Sequence, residues 1–197
     1  MLIIGLTGGS GAGKGLVSTC FAAHGIPALD TDLVSRQVCE PGQPCLAALA
    51  EAFGSGILHD DGTLDRPSLA AIAFADPKKL SILNSVTHKY ILQACLVWLD
   101  ERRQEGKAAA IIDAPQLFES GFDAECDVTV AVVADRATRL ARILRRDGIS
   151  PEQAERRLSR QYSDDWFRAH CTYVISNGAN EDPAPAVDAL CHTLGIA

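Results

Sequence analysis

Residues 5–15 read Gly-Leu-Thr-Gly-Gly-Ser-Gly-Ala-Gly-Lys-Gly, directly behind the apolar run Leu2-Ile3-Ile4. No other stretch restricts so strongly what this chain can fold into. Gly8, four further residues, Gly13 and Lys14 form the frame of a phosphate-cradling loop. Glycines let the backbone close on an anion with no Cβ in the way, and consecutive N–H groups then make a concave nest. The helix that follows presents its positive end, and Lys14 adds a point charge for the β- and γ-phosphates. A merely flexible glycine turn with a solvent lysine would need neither the apolar strand before it nor the helical pattern from Lys14 to His24 behind it. The frame therefore predicts strand, loop and helix, with a nucleotide held by its phosphates. One position departs from it. Gly15 stands where the frame has Ser or Thr, whose hydroxyl reaches Mg²⁺.

Period and punctuation continue the alternation of strand and helix. Strands are expected at Leu2–Leu6, Pro27–Leu29, Ala109–Asp113, Val128–Val133 and Tyr173–Ser176. The third and fourth are nearly continuous apolar runs, as in parallel strands buried on both faces. Helical patterns fall at 14–24, 32–39, 44–53, 78–105, 135–147, 151–161 and 183–194. Ser150-Pro151-Glu152 places a cap before a first-turn proline. From about 33 to 105 no core strand is evident, so a helical insertion is expected between the second and third strands. The arginine-rich stretch 139–165 reads as a second, smaller helical excursion.

Composition narrows the functional classes. A formal net charge of −7 over 197 residues argues against general nucleic-acid binding. No run approaches the roughly 18 apolar residues of a membrane span, and the start of the chain lacks a basic leader, so a cytoplasmic protein is expected. Seven cysteines are dispersed without a C-x-x-C pair, which reads as reduced thiols packed as small hydrophobes, with neither zinc nor a disulfide framework. Eight arginines nevertheless crowd between Arg136 and Arg160, the mark of an anionic small ligand held locally.

Several side chains carry candidate chemistry. Asp30 and Asp32 follow the second strand, at the sheet edge where open α/β sheets bind ligands. If the segment stays extended, the two share a face, one to order Mg²⁺ and the other to accept a proton from an attacking hydroxyl. The alternative is that either simply caps the next helix. Asp113 ends an apolar strand in the manner of a Walker-B carboxylate. Arg136, Arg139, Arg142 and Arg145 recur every third residue, which makes a solvated basic face or a lid neutralising a transferring phosphoryl group, with Arg142 and Arg139 first. His88, in the long helical pattern, has no spacing that suggests a metal site and in isolation reads as structural.

Together these segments resemble the dephospho-CoA kinase family across nearly the whole chain. The resemblance rests on GLTGGSGAGK at 5–14, DTDLVSRQVCEPG at 30–42, FGSGILHDDGTLDRPSL at 53–69 and DAPQLFESG at 113–121. Arg139, Arg142 and Arg146, then RLSRQ at 157–161, add to it. It implies a P-loop kinase fold: a five-stranded parallel sheet in order 2-3-1-4-5 flanked by helices. The nucleotide-binding core would comprise 1–31, 107–138 and 166–197, with a helical CoA-binding domain at 32–106 and a lid at 139–165. The implied reaction moves the γ-phosphate of ATP, with Mg²⁺, to the ribose 3′-hydroxyl of dephospho-CoA.

Residue by residue, Gly9, Gly11, Ala12, Gly13, Lys14, Gly15 and Leu16 match the ATP loop, and Asn177 matches a loop near the adenine. Asp32 matches the general base, and Lys14 and Arg142 the groups stabilising the phosphoryl. Asp30 and Asp113 would stand near Mg²⁺. Arg36 and His88 match acceptor-site positions, and Arg139 joins them as an expected substrate contact. The departures are Gly15, Lys89 in place of a common proline, and Gln116 in place of a common leucine. A monomer, or at most a weak homo-oligomer, is expected. The competing readings are another small-molecule or nucleoside monophosphate kinase, and a nucleotide-binding protein without transfer chemistry.

Overall fold

A computed structural model describes residues 1–196. The chain divides into two compact units, Met1–Leu29 with Arg102–Ala197 and Asp30–Glu101.

The first unit is built on a parallel sheet. Its strands are β1 (Leu2–Thr7), β2 (Ala28–Asp30), β3 (Ala109–Asp113), β4 (Val128–Val133) and β5 (Tyr173–Ser176), in the order β2-β3-β1-β4-β5. This is the expected P-loop kinase order. Ile4 pairs with Ile111 on one side and Val128 on the other, so β1 runs through the centre. Central placement explains the apolar runs: Ala110, Ile111, Ile112, Val130, Ala131 and Val132 are all fully buried. A Val, Leu or Ile side chain so placed contributes about 1.5–3 kcal/mol relative to exposure. Helix α1 (Lys14–Ala23) inserts Val17 and Phe21 into the same core as Ile4, Leu6 and Val132. Helices α6 (Arg136–Asp147), α7 (Pro151–Ser159), α8 (Asp164–His170) and α9 (Ala184–Leu194) complete the unit. The cap expected at Ser150 is present, and it is part of a capping box in which Gln153 returns its side chain to the Ser150 amide.

The second unit is helical, with α2 (Thr31–Gln37), α3 (Pro44–Phe53), α4 (Arg66–Phe74) and most of α5 (Pro77–Gln104). Its core gathers Cys39, Cys45, Leu49, Ile57 and Leu69, with Leu83, Val86 and Tyr90 of α5 against them. No sheet strand lies between β2 and β3; a single antiparallel bridge joins Leu58 to Leu64.

Two helices, α4 and α8, go beyond the sequence-based expectation. For α4 the signal was present, because Asp65 caps Ser68 and Pro67 sits in the first turn. For α8, Ser163 caps Trp166 ahead of two aspartates. Cys39, Cys45, Cys95 and Cys191 are buried among apolar side chains, as expected of thiols used for packing.

Candidate active site

The phosphate loop leaves β1 at Thr7 and enters α1 at Lys14. Gly13, at the N-cap, has φ +96°, and a Cβ there would lie 2.0 Å from Asn177 Nδ2. Glycine is required there for two reasons, backbone sign and space. Gly15 is the opposite case: nothing lies within 4 Å of where its Cβ would be. A larger side chain would therefore fit at this position without a clash.

Lys14 Nζ lies 3.9 Å from Asp113 Oδ1 and 3.4 Å from the Gly8 carbonyl. Both side chains are largely buried. An ammonium and a carboxylate thus meet beside the nest of loop amides, on the edge of the sheet where its strands end.

The loop's outward carbonyls are held from behind. Arg142 Nη1 donates to the carbonyls of Gly11 (3.2 Å), Ala12 (3.3 Å) and Asn177 (2.9 Å), and its Nη2 to that of Gly178 (3.0 Å). Asn177 is buried, and its Nδ2 donates to the Ala12 carbonyl at 2.8 Å. Arg139 donates through Nε to the Ser10 carbonyl (3.0 Å), through Nη1 to Asp164 (3.2 Å) and through Nη2 to Gln161 (2.9 Å). Burial pulls the Arg139 pKa down, and Asp164 pulls it back up. Sequence reasoning aimed both arginines at a substrate or its phosphoryl group. The structure instead gives their guanidinium forks to the protein. The stripe's spacing could not reveal this, because the partners come from the loop, α8 and the turn after β5.

Other arginines face open space. A cleft of about 460 Å³ is lined by Gly9 of the loop, Glu119, Arg156, Arg157, Arg160 and Gln161, among others. Arg157 is paired with Asp147, whose carboxyl Arg146 and Arg157 together hold at about 2. Arg156 and Arg160 are exposed. The family resemblance included Arg157 and Arg160 in its 157–161 segment without giving them a role.

In the second unit the expected pair Asp30 and Asp32 behaves differently from an extended segment. The helix begins at Thr31, and Asp30 Oδ1 accepts the Asp32 amide at 2.8 Å. Asp30 is therefore the cap of α2, and the side-by-side placement argued from strand alternation does not hold. Asp32 lies in the first turn, exposed, with its carboxylate unpaired among the described residues. Arg36 lies one turn further on and is exposed; its carbonyl accepts from Arg66 at 3.5 Å. His88, half-buried on α5, is held below the usual imidazole value by burial.

A parallel sheet in this order, with such a loop between its central strand and first helix, defines a P-loop kinase. Solved structures agree on the fold. A Thermus thermophilus protein, TT1252, superimposes with TM-score 0.82 at 29% identity, covering 98% of this chain and 97% of that one. A dephospho-CoA kinase from Campylobacter jejuni superimposes with TM-score 0.71 at 21% identity, covering 98% and 96%. A family model described as dephospho-CoA kinase matches residues 2–182, and the chain belongs to that family. Relatives named dephospho-CoA kinase include one from Corynebacterium glutamicum, 41% identical over 92% of this chain and 92% of its own length. Another, from Shouchella clausii, is 39% identical over 96% and 98%. The chain is thus an enzyme of the kinase class that serves coenzyme A synthesis. Among the described residues no helix is long and apolar enough to cross a membrane.

Proposed function

We propose that the chain transfers the γ-phosphate of ATP to the ribose 3′-hydroxyl of dephospho-CoA, yielding CoA and ADP. The observation that carries this reading is the loop with Lys14 beside Asp113, in a chain of this family. The loop amides and Lys14 hold the nucleotide's phosphates and draw off charge as the γ-phosphoryl leaves. Asp32 accepts the proton of the attacking hydroxyl; its unpaired, exposed carboxylate supports that role. Arg36 and His88 bind the acceptor. His88 does so as a neutral imidazole that hydrogen-bonds, since burial disfavours its charged form. Arg139 and Arg142 act at one remove, by fixing the loop.

Mg²⁺ fits this site as an ion carried by the nucleotide. Among the described residues no group of three or more His, Cys, Asp or Glu could hold one alone. Mg²⁺ commonly binds through one or two carboxylates plus substrate phosphates and water, and Asp113 supplies a carboxylate at the loop. Asp113, rather than Asp30, is its protein contact in this reading, because one Asp30 oxygen is engaged as a helix cap. When bound, the ion neutralises charge on the phosphate oxygens.

The test is ADP production with Mg·ATP and a panel of acceptors: dephospho-CoA, adenosine, AMP and shikimate. Turnover with dephospho-CoA far above the others supports the reading. No turnover above a Lys14→Ala control overturns it.

A further inference from the structure

We infer that Gln161 is a positioning residue for the ATP loop, tying it to the segment just past the arginine-bearing helix α7. The Gln161 amide grips Ser10 at both ends. Its Oε1 accepts the Ser10 backbone N–H at 3.0 Å, and its Nε2 donates to Ser10 Oγ at 3.0 Å. The same Oε1 accepts from Arg139 Nη2 at 2.9 Å, while Arg139 Nε holds the Ser10 carbonyl at 3.0 Å. Every polar atom of Ser10 is thereby held from outside the loop, across about 130 to 150 residues of sequence.

Ser10 is the residue where such a grip matters. It sits between Gly9 and Gly11, in the most permissive part of the chain, and free glycine backbone loses more entropy on ordering than any other. An anion nest works only if successive N–H groups converge. With the Ser10 N–H and carbonyl turned outward, and the amides of Ala12 and Leu16 given to the carbonyls of Gly9 and Gly13, those of Gly11 and Gly13 to Gly15 are the ones left to face the phosphates. Arg139 packs so closely that a Cβ on Gly9 would lie 2.0 Å from its Nη2, so the clamp and the glycines are one device. Gln161 also follows Arg160 directly and shares the arginine-lined cleft with Gly9. One amide therefore reports the loop's conformation to the wall that faces it.

The inference rests on the loop being the ATP site, and the experiment separates the two. Steady-state kinetics and ATP calorimetry are run on wild type, Gln161→Leu, Gln161→Glu, Ser10→Ala and the Ser10→Ala/Gln161→Leu double variant, with Tm measured for each. Losing two hydrogen bonds to the loop should raise KM for ATP about tenfold or more in Gln161→Leu, with KM for dephospho-CoA within twofold of wild type. Gln161→Glu should recover most of that loss. A carboxylate accepts from the Ser10 amide and Arg139, and the Ser10 hydroxyl can turn to donate. Ser10→Ala should give a smaller rise, and should add nothing when combined with Gln161→Leu. An unchanged KM for ATP in Gln161→Leu or in Ser10→Ala overturns the inference. So do equal rises in both KM values, or a Gln161→Glu protein no better than Gln161→Leu. Wild-type protein that fails to bind ATP would overturn the loop assignment instead.

Discussion

Asn177, in the turn after β5, donates its side-chain amide to the carbonyl of Ala12 in the phosphate loop at 2.8 Å, across 165 residues of sequence. The Asn177 backbone amide is held at 2.8 Å by the carbonyl of Val133, the last residue of β4. The end of the sheet thus braces the loop's underside. Arg142 binds the carbonyls of both residues, so the brace is double. The family resemblance placed Asn177 near the adenine; its buried contact is with the loop backbone itself.

Asn177→Ala should therefore cost stability as well as nucleotide affinity. Removing a buried hydrogen-bond donor costs about 1–3 kcal/mol where its partner is left short, and the Ala12 carbonyl keeps only the longer Arg142 contact. Thermal denaturation should show a lowered Tm, and ATP titration a weaker Kd. A variant with wild-type Tm and Kd would place the brace in Arg142 alone.

Two glycines of the same loop should respond in opposite ways. Gly13→Ala meets both a positive φ and Asn177 Nδ2, strain of about 1–3 kcal/mol before the clash is counted, and should abolish ATP binding. Gly15→Ser enters open space and should fold normally. It should also lower the Mg²⁺ concentration for half-maximal rate, by restoring the hydroxyl the loop frame expects. An unchanged Mg²⁺ requirement would mean that water or Asp113 already serves that position.

Asp32→Asn should lower kcat by roughly 10²–10⁴ while leaving KM for ATP near wild type, because the base acts on the acceptor. Equal losses in ATP affinity and turnover would place Asp32 at the nucleotide's ion instead. Tm should barely change, since the capping oxygen of α2 belongs to Asp30.

His88 gives the second unit a pH dependence of defined sign. Burial lowers its pKa from the ordinary 6.5, so the folded state favours the neutral ring. The associated stability is present above about pH 6.5 and is lost as pH falls through the folded value. Tm should fall more steeply between about pH 7.5 and 5.5 in the wild type than in His88→Gln. Parallel curves would remove His88 as the cause.

The loop, the five strands and most helices were legible because each is written locally: apolar runs for buried strands, glycine spacing for the nest, Ser150-Pro151 for the start of α7. The helices α4 and α8 escaped although each carries a capping residue, Asp65 and Ser163. The protein contacts of Asp30, Arg139 and Arg142 were hidden for another reason. An aspartate before a helix reads equally as ligand or cap, and only the start of α2 at Thr31 shows the cap. An arginine stripe reads as solvated face or lid, and only its partners in space reveal the hold of Arg139 and Arg142 on the loop.

By itself the sequence determined the fold class, the phosphate loop and the family, because these depend on residue type and spacing along the chain. Tertiary structure alone decided what stands around the loop. Ser10, Gly11 and Ala12 are held by Arg139, Arg142, Gln161 and Asn177, each more than 120 residues away. A hydrogen bond is specified by where two groups meet in space, and no local pattern encodes that meeting. The same holds for Gly15, which the sequence showed to be unusual and the structure shows to face open space.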